Sequence, residues 1–212
     1  MRTMVFVDYW NLQLTLQSED GLAKGLTGTA LQSHRFLVDW FSLGGVLTGL
    51  ADSHVSHTPG VPLGLLYQET RFYTSTDPGD AQYKNFATKT LASRPGIRVY
   101  CQDRRPKKNP LCPSCLNVMD VCPHCRNAIN ATQEKGVDTL LVTDLLRLGL
   151  DGSYDVAILV SQDSDMAPAA EHLASKGIKV IHAGIKHFGS GVAKKCWGSF
   201  DILPLRAAFE RK

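Results

Sequence analysis

Apolar residues follow two rhythms along this chain. Met4-Val5-Phe6-Val7 and Val156-Ala157-Ile158-Leu159-Val160 are unbroken apolar runs, the pattern of strands covered on both faces of a sheet. Elsewhere apolar residues recur at helical spacing. The first strand, over 4–7, is predicted to lead through a Gly- and Ser-containing connection to an amphipathic helix over 34–43, built on Phe36, Leu37, Trp40 and Phe41 and ended by Gly44-Gly45. Residues 48–62, rich in Gly, Pro, His and Ser, read as a loop, and 65–73 as the next strand. Asp77-Pro78-Gly79-Asp80 signals a turn and a helix start. That helix carries Tyr83, Phe86, Ala87 and Leu91, stops at Pro95-Gly96, and is followed by a strand over 97–101. The alternation resumes with a helix over 137–150, a strand over 156–161, a helix over 167–176 and a strand over 178–182. The tail, 189–212, is less regular and is expected to pack on the sheet edge; no internal repeat is apparent.

Strands alternating with helices predict βαβ units, hence an α/β fold with a mostly parallel sheet between two helical layers. A chain of 212 residues suits one domain, 1–212, around a single core. Only 102–132 breaks the rhythm, with basic residues, four prolines and four closely spaced cysteines, and it is expected to be an insert. Composition narrows the class further. The apolar share of 43% and charged share of 20% are those of a soluble globular protein, and no apolar run approaches the roughly 20 residues of a membrane span. Met1-Arg2-Thr3-Met4 leads straight into a strand without the apolar core of a signal peptide, so a cytoplasmic location is expected. A net charge of +3 gives weak global attraction to nucleic acid; such a partner would need a local patch.

The acids are placed more tellingly than the bases. Asp8 ends the first strand, Asp163 and Asp165 follow the strand near 160, and Asp138 begins the helix before that strand. In an open α/β sheet these positions can meet beyond the carboxyl ends of the strands, where ligands bind. Like charges about 4 Å apart repel by roughly 4 kcal/mol at an effective dielectric of about 20, so such a cluster calls for a counter-charge. Mg²⁺ or Mn²⁺ would supply it, since hard cations take oxygen ligands and bridge to phosphate. Asp165 and Asp138 could instead cap helices. Asp8, directly after an apolar run, shows no capping role at this level. Asp144 lies about 120° around the helix from Asp138, as a supporting or a solvated residue.

Three stretches resemble the signature segments of NYN domains, a branch of the PIN-like nucleases. They are Phe6-Val7-Asp8-Tyr9-Trp10-Asn11-Leu12, then Lys135-Gly136-Val137-Asp138 through Leu146, then Ser161-Gln162-Asp163-Ser164-Asp165-Met166-Ala167-Pro168. The resemblance implies a three-layer α/β/α, Rossmann-like (PIN-like) fold and metal-dependent RNA cleavage. It also implies catalytic, metal-binding roles for Asp8, Asp138, Asp163 and Asp165, with Asn11 and Ser161 as nearby polar groups toward the substrate. Tyr9, Trp10 and Gln162 stand where such domains more often carry smaller residues.

Cys112-Pro113-Ser114-Cys115 and Cys122-Pro123-His124-Cys125 form two CxxC pairs at a spacing that suits tetrahedral Zn²⁺. Four thiolates close the coordination shell, so the zinc would be structural and His124 no ligand. A disulfide framework is the alternative, disfavoured in a reducing compartment. Arg104, Arg105, Lys107 and Lys108 precede the first pair and form a candidate phosphate-binding patch or a solvated loop. Lys186-His187 and Lys194-Lys195 add charge after the last central strand. Tyr9 and Trp10 suit base stacking or core packing. Two functions follow: a metal-dependent ribonuclease acting on single-stranded RNA, or a non-catalytic RNA-binding or scaffold module on the same fold. A haloacid-dehalogenase-type phosphatase would want a second aspartate two positions after Asp8, where Trp10 stands.

Overall fold

The two unbroken apolar runs lie side by side at the centre of the sheet, because only there are both faces of a strand covered. The computed structural model describes residues 1–55, 61–112, 114–129 and 132–211. Strand β1 (Arg2–Asp8) leads directly into helix α1 (Tyr9–Ala23), followed by α2 (Gly28–Ser33), α3 (Leu43–His54) and β2 (Leu66–Thr76). Helix α4 (Ala81–Asn85) continues as a π-helical turn, Phe86–Leu91, before β3 (Ile97–Asp103). Short strands β4 (Arg105–Pro106) and β5 (Thr132–Gln133) bracket the cysteine segment. Then come α5 (Val137–Leu150), β6 (Val156–Val160), a 3₁₀ turn at Ser164–Met166, α6 (Ala167–Ser175) and β7 (Lys179–Gly184). Helix α7 (Ser190–Ala193), β8 (Gly198–Asp201) and a 3₁₀ turn at Arg206–Phe209 complete the chain.

Six strands form one sheet in the order β3-β2-β1-β6-β7-β8, every neighbouring pair parallel. The connections wind outward in opposite directions from the β1–β6 pair, which is therefore the topological switch point. In its register Val5 faces Ile158 and Val7 faces Val160. Because side chains alternate across a strand, these residues point to one face, where Leu12, Leu16, Leu43 and Leu47 from α1 and α3 cover them. Phe6, Ala157 and Leu159 point to the other, under Leu141, Leu145 and Leu148 of α5 and Ala170 and Leu173 of α6. Each fully buried Leu or Val contributes about 1.5–3 kcal/mol, so the two half-cores hold the three layers together. Among the described residues no helix is long and apolar enough to cross a membrane.

Three expectations are corrected. The segment after Asp8 is helix α1 and not a Gly/Ser connection; its C-terminal Glu19 and Asp20 are buried by ion pairing with Lys186, Lys24 and Arg206, which disguises the apolar face. Residues 34–42 are not helical. Phe36 is buried against Phe209 of the tail, and Val38 bridges to Glu210, so this apolar spacing comes from a strand-like contact. The helix begins instead at Leu43 and runs through Gly44-Gly45 into the segment expected to be loop. Gly44 packs rather than terminates: a Cβ there would come within 1.7 Å of Thr70 Oγ1. Residues 56–60 of that expected loop lie outside the described residues.

The cysteine segment leaves the sheet through the antiparallel β4–β5 pair, with Arg105 opposite Gln133; its residues 113, 130 and 131 lie outside the described ones. A short repeat emerges within it, each unit built on one of the two CxxC pairs. Cys112 N donates to Asn117 O and Leu116 N to Cys112 O, and Cys122 N donates to Asn127 O and Arg126 N to Cys122 O in the same way. Leu116 and Arg126 share a left-handed φ of 60° and 62°. Matching bridges, Leu111 to Val118 and Val121 to Ala128, close each turn.

Candidate acidic site at the carboxyl ends of the strands

Asp8 sits where β1 gives way to α1, at the switch point, with 5% of its surface exposed. Its Oδ1 accepts from Asn11 N at 3.3 Å, which makes it the N-cap of α1, the role sequence reasoning had assigned to other acids. Its Oδ2 accepts from Ser161 Oγ at 3.2 Å. Ser161 is fully buried, and its hydroxyl also accepts from Asp163 N at 3.2 Å. Asn11 Oδ1 in turn accepts from Gln162 N at 2.8 Å. Two crossing links thus tie the β1–α1 corner to the loop after β6. Asn11 and Ser161 act in this geometry by fixing the acids.

Behind them, buried His182 of β7 lies with Nε2 2.9 Å from Ser161 O. Burial lowers its pKa, and since a carbonyl only accepts, Nε2 carries the hydrogen and donates. Asp163 caps the 3₁₀ turn, its Oδ1 accepting from Asp165 N at 3.0 Å. Asp165 itself is exposed and does not cap. Asp138 stands in the first turn of α5, but the cap position is Gly136, whose φ of 85° bends the chain into the helix without a side-chain bond.

The acids act on one another. Burial pushes the Asp8 carboxyl up to about 7, against the stabilising Asn11 and Ser161 hydrogen bonds and helped by repulsion from Asp138 and Glu134. Asp138 is likewise raised, by burial first and then by Glu134, Asp163 and Asp165. The four acids expected from sequence therefore share one electrostatic neighbourhood, and Glu134 is a fifth that sequence reasoning missed. Glu134 follows β5 at the returning stem of the cysteine segment and accepts a hydrogen bond from Ser75 Oγ, at the end of β2. On the outgoing stem, Arg104 Nε donates to the same Ser75 Oγ at 2.9 Å.

The basic run expected to bind substrate divides. Arg104 joins this cluster, whereas Arg105, Lys107 and Lys108 are exposed along the stem and beside the first cysteine turn. Lys186 pairs with Glu19, and Lys195 with Glu171 at 2.7 Å. Asp144 is neither solvated nor part of the cluster; it is buried in an ion pair with Arg71 at 3.1 Å. Tyr9 is core, stacked on Trp40 at 4.1 Å, while Trp10 is half-buried at the rim.

Among the described residues, no three Asp, Glu, His or Cys side chains are gathered closely enough to hold a metal ion as they stand. The donor chemistry nevertheless suits metals at both places. The acids offer only oxygen and repel one another, a cost a hard cation would offset. All six cysteines are free thiols. Backbone N–H groups of Cys115 and Ser114 hold the Cys112 thiol below its ordinary range, and those of Cys125 and His124 do the same for Cys122, which favours the thiolate a zinc ion binds.

A family model described as "NYN domain" matches residues 2–196. Among solved structures, a protein of unknown function from Vibrio parahaemolyticus is similar, with a TM-score of 0.56 and 14% identity over 99% of this chain and 96% of that one. At that identity the likeness concerns the fold alone. No curated protein matches.

Proposed function

We propose that this chain, which belongs to the NYN domain family, is a metal-dependent ribonuclease hydrolysing phosphodiester bonds of single-stranded RNA. Membership makes the protein nuclease-like; the finer reading rests on Asp8. It is a buried carboxylate at the switch point of the sheet, repelled by Asp138 and Glu134, with Asp163 and Asp165 acting in turn on Asp138, and among the described residues no ion pair neutralises it.

Asp8, Asp138, Asp163 and Asp165 would hold Mg²⁺ or Mn²⁺, with Glu134 adjoining them. Such an ion, when bound, activates water and stabilises charge on phosphate oxygens. The chain's own part is positional. Asn11 N–H and Ser161 Oγ fix the two oxygens of Asp8, His182 fixes the Ser161 backbone, and the 3₁₀ turn aligns Asp163 with Asp165. Arg104 offers further N–H donors beside Ser75 for a phosphate or a base. Cys112, Cys115, Cys122 and Cys125 would hold a structural zinc that stiffens the insert, and Arg105, Lys107 and Lys108 would extend the RNA contact.

The test is cleavage of labelled single-stranded RNA and DNA with Mn²⁺, Mg²⁺ or EDTA, alongside Asp8→Asn and Asp163→Asn. Metal-dependent RNA cleavage abolished in both variants is expected. Tight RNA binding without cleavage would overturn the enzyme reading in favour of a binding or scaffold module, which the lack of a ready-grouped acid trio among the described residues favours.

A further inference from the structure

Beside Ser75 opens a cavity of about 210 Å³, whose walls include Trp10, Leu14, Thr76, Tyr83 and Arg104. Its aromatic walls are fixed. Trp10 Nε1 donates to Ser75 O at 2.7 Å, and the Tyr83 hydroxyl is bonded to Thr74 Oγ1 at 2.6 Å, with the two ring centroids 5.0 Å apart. The Arg104 guanidinium lies 5.7 Å from the Trp10 centroid; its Nε donates to Ser75 Oγ and its Nη1 lies 3.9 Å from Asp77 Oδ2. Asp77 and Asp80, both exposed, complete the rim; one oxygen of Asp80 accepts from Tyr83 N at 2.9 Å and one of Asp77 from Thr132 Oγ1, and the second carboxylate oxygen of each faces the opening.

This combination selects its occupant. Two carboxylates repel a phosphate, and an aliphatic side chain would use neither the donors of the arginine nor the acceptors of the carboxylates. A single unpaired nucleobase satisfies all of them: its flat face stacks on Trp10, its ring acceptors meet Arg104, and its amino group meets a carboxylate. Guanine fits best, because it presents O6 and N7 to an arginine fork and an exocyclic amino donor on another edge. Uracil has no amino group, and adenine offers arginine one acceptor fewer.

We propose that this cavity is a base pocket receiving one guanine of a single-stranded RNA. Ser75 is the wall it shares with the acids, since the backbone oxygen of that residue holds Trp10 while its hydroxyl contacts Glu134 and Arg104. The bound guanosine is therefore a near neighbour of the phosphate at the acidic site. The proposal rests on the ribonuclease reading for its substrate, and its test is arranged to be independent of cleavage.

Binding is measured by fluorescence anisotropy in EDTA, using a short labelled oligouridine carrying one guanosine. Matched strands replace that guanosine with an abasic ribose, uridine or adenosine. The unaltered protein is expected to bind the guanosine strand roughly 5- to 150-fold more tightly than the abasic one, the span of one stacked base. Trp10→Leu and Arg104→Lys are expected to erase that difference while still binding RNA. Equal affinity for all strands overturns the pocket, as does preference for uridine or adenosine. Since no metal is present, guanine selectivity without later cleavage would sink the ribonuclease reading and leave the pocket standing. Cleavage without selectivity would do the reverse.

Discussion

Asp8 and Asp144 are buried to the same degree, each 5% exposed, and their surroundings are opposite in charge. Burial alone would raise the pKa of Asp144, but hydrogen bonds from Arg147 and Tyr73 and the charge of Arg71 outweigh it and hold the carboxyl below its usual range. Around Asp8 the neighbouring charges are acids, so burial and repulsion act together. Asp144 is a completed interaction. Asp8 carries hydrogen bonds but, among the described residues, no ion pair, which on the reading proposed above marks a site that takes a ligand.

If that distinction is right, removing each carboxylate should have opposite consequences for stability. Asp144→Ala leaves the buried Arg71 with Glu69, at 2.6 Å, and the Tyr100 hydroxyl, at 2.9 Å, as remaining partners, and is expected to cost about 3 kcal/mol in urea unfolding, the lower end for a broken buried pair. Asp8→Asn should leave metal-free stability unchanged or raised. A loss of similar size at both positions would break the comparison.

The pH dependence sharpens it. An acid whose pKa is higher folded than unfolded binds more protons in the native state between the two values, so stability falls as pH rises through that window. For Asp8 the window runs from the ordinary carboxylate value of 3.8 to about 7. The metal-free protein is expected to lose stability across it, by up to about 4 kcal/mol at ~1.4 kcal/mol per unit. For Asp144 the sign is reversed: its contribution is present above the ordinary value and lost as pH falls below it. Thermal melts in EDTA from pH 4 to 8 check this, and Asp8→Asn should flatten the neutral limb while leaving the acid limb.

The same contrast explains what could be read beforehand. Strands β1 and β6 were legible because burial on both faces writes an unbroken apolar run, and α5 because its apolar stripe is regular from Val137 to Leu150. Asp8, Asp138, Asp163 and Asp165 stood out by lying where such elements end or begin. Helix α1 was hidden because Tyr9-Trp10 reads as continued strand and its C-terminal half buries charge. Asp144 was ambiguous because its partner Arg71 comes from β2, a pairing across 73 residues that local spacing cannot reveal. Glu134 was missed because it follows a two-residue strand whose existence depends on the distant β4.

On activity, Asp8→Asn is expected to lower metal-dependent RNA cleavage by more than about 100-fold, the upper end of what loss of an outer partner alone costs. Ser161→Ala removes one such partner, a hydroxyl that donates to Asp8 and accepts from Asp163 N, and is expected to weaken activating metal by roughly 10- to 100-fold with less effect at saturation. A titration of cleavage against Mn²⁺ separates the two, since added metal should rescue the serine variant and not the aspartate one.

Glu134→Gln should give the smallest effect and the most discriminating one. The amide keeps an acceptor for Ser75 Oγ, so the link between the two stems of the cysteine segment survives, while the charge acting on Asp8 and Asp138 is removed. If Glu134 contributes to the site by charge, Asp8 should titrate lower in the variant and the neutral limb of the metal-free stability curve should shift toward acid, with activating metal bound about ten-fold more weakly. If it only fastens the insert, neither quantity should move, and Ser75→Ala, which cuts the link but keeps the charge, should instead be the damaging change. Melts in EDTA and Mn²⁺ titrations on the two variants decide whether this fifth acid belongs with Asp8 or, like Asp144, with the scaffold.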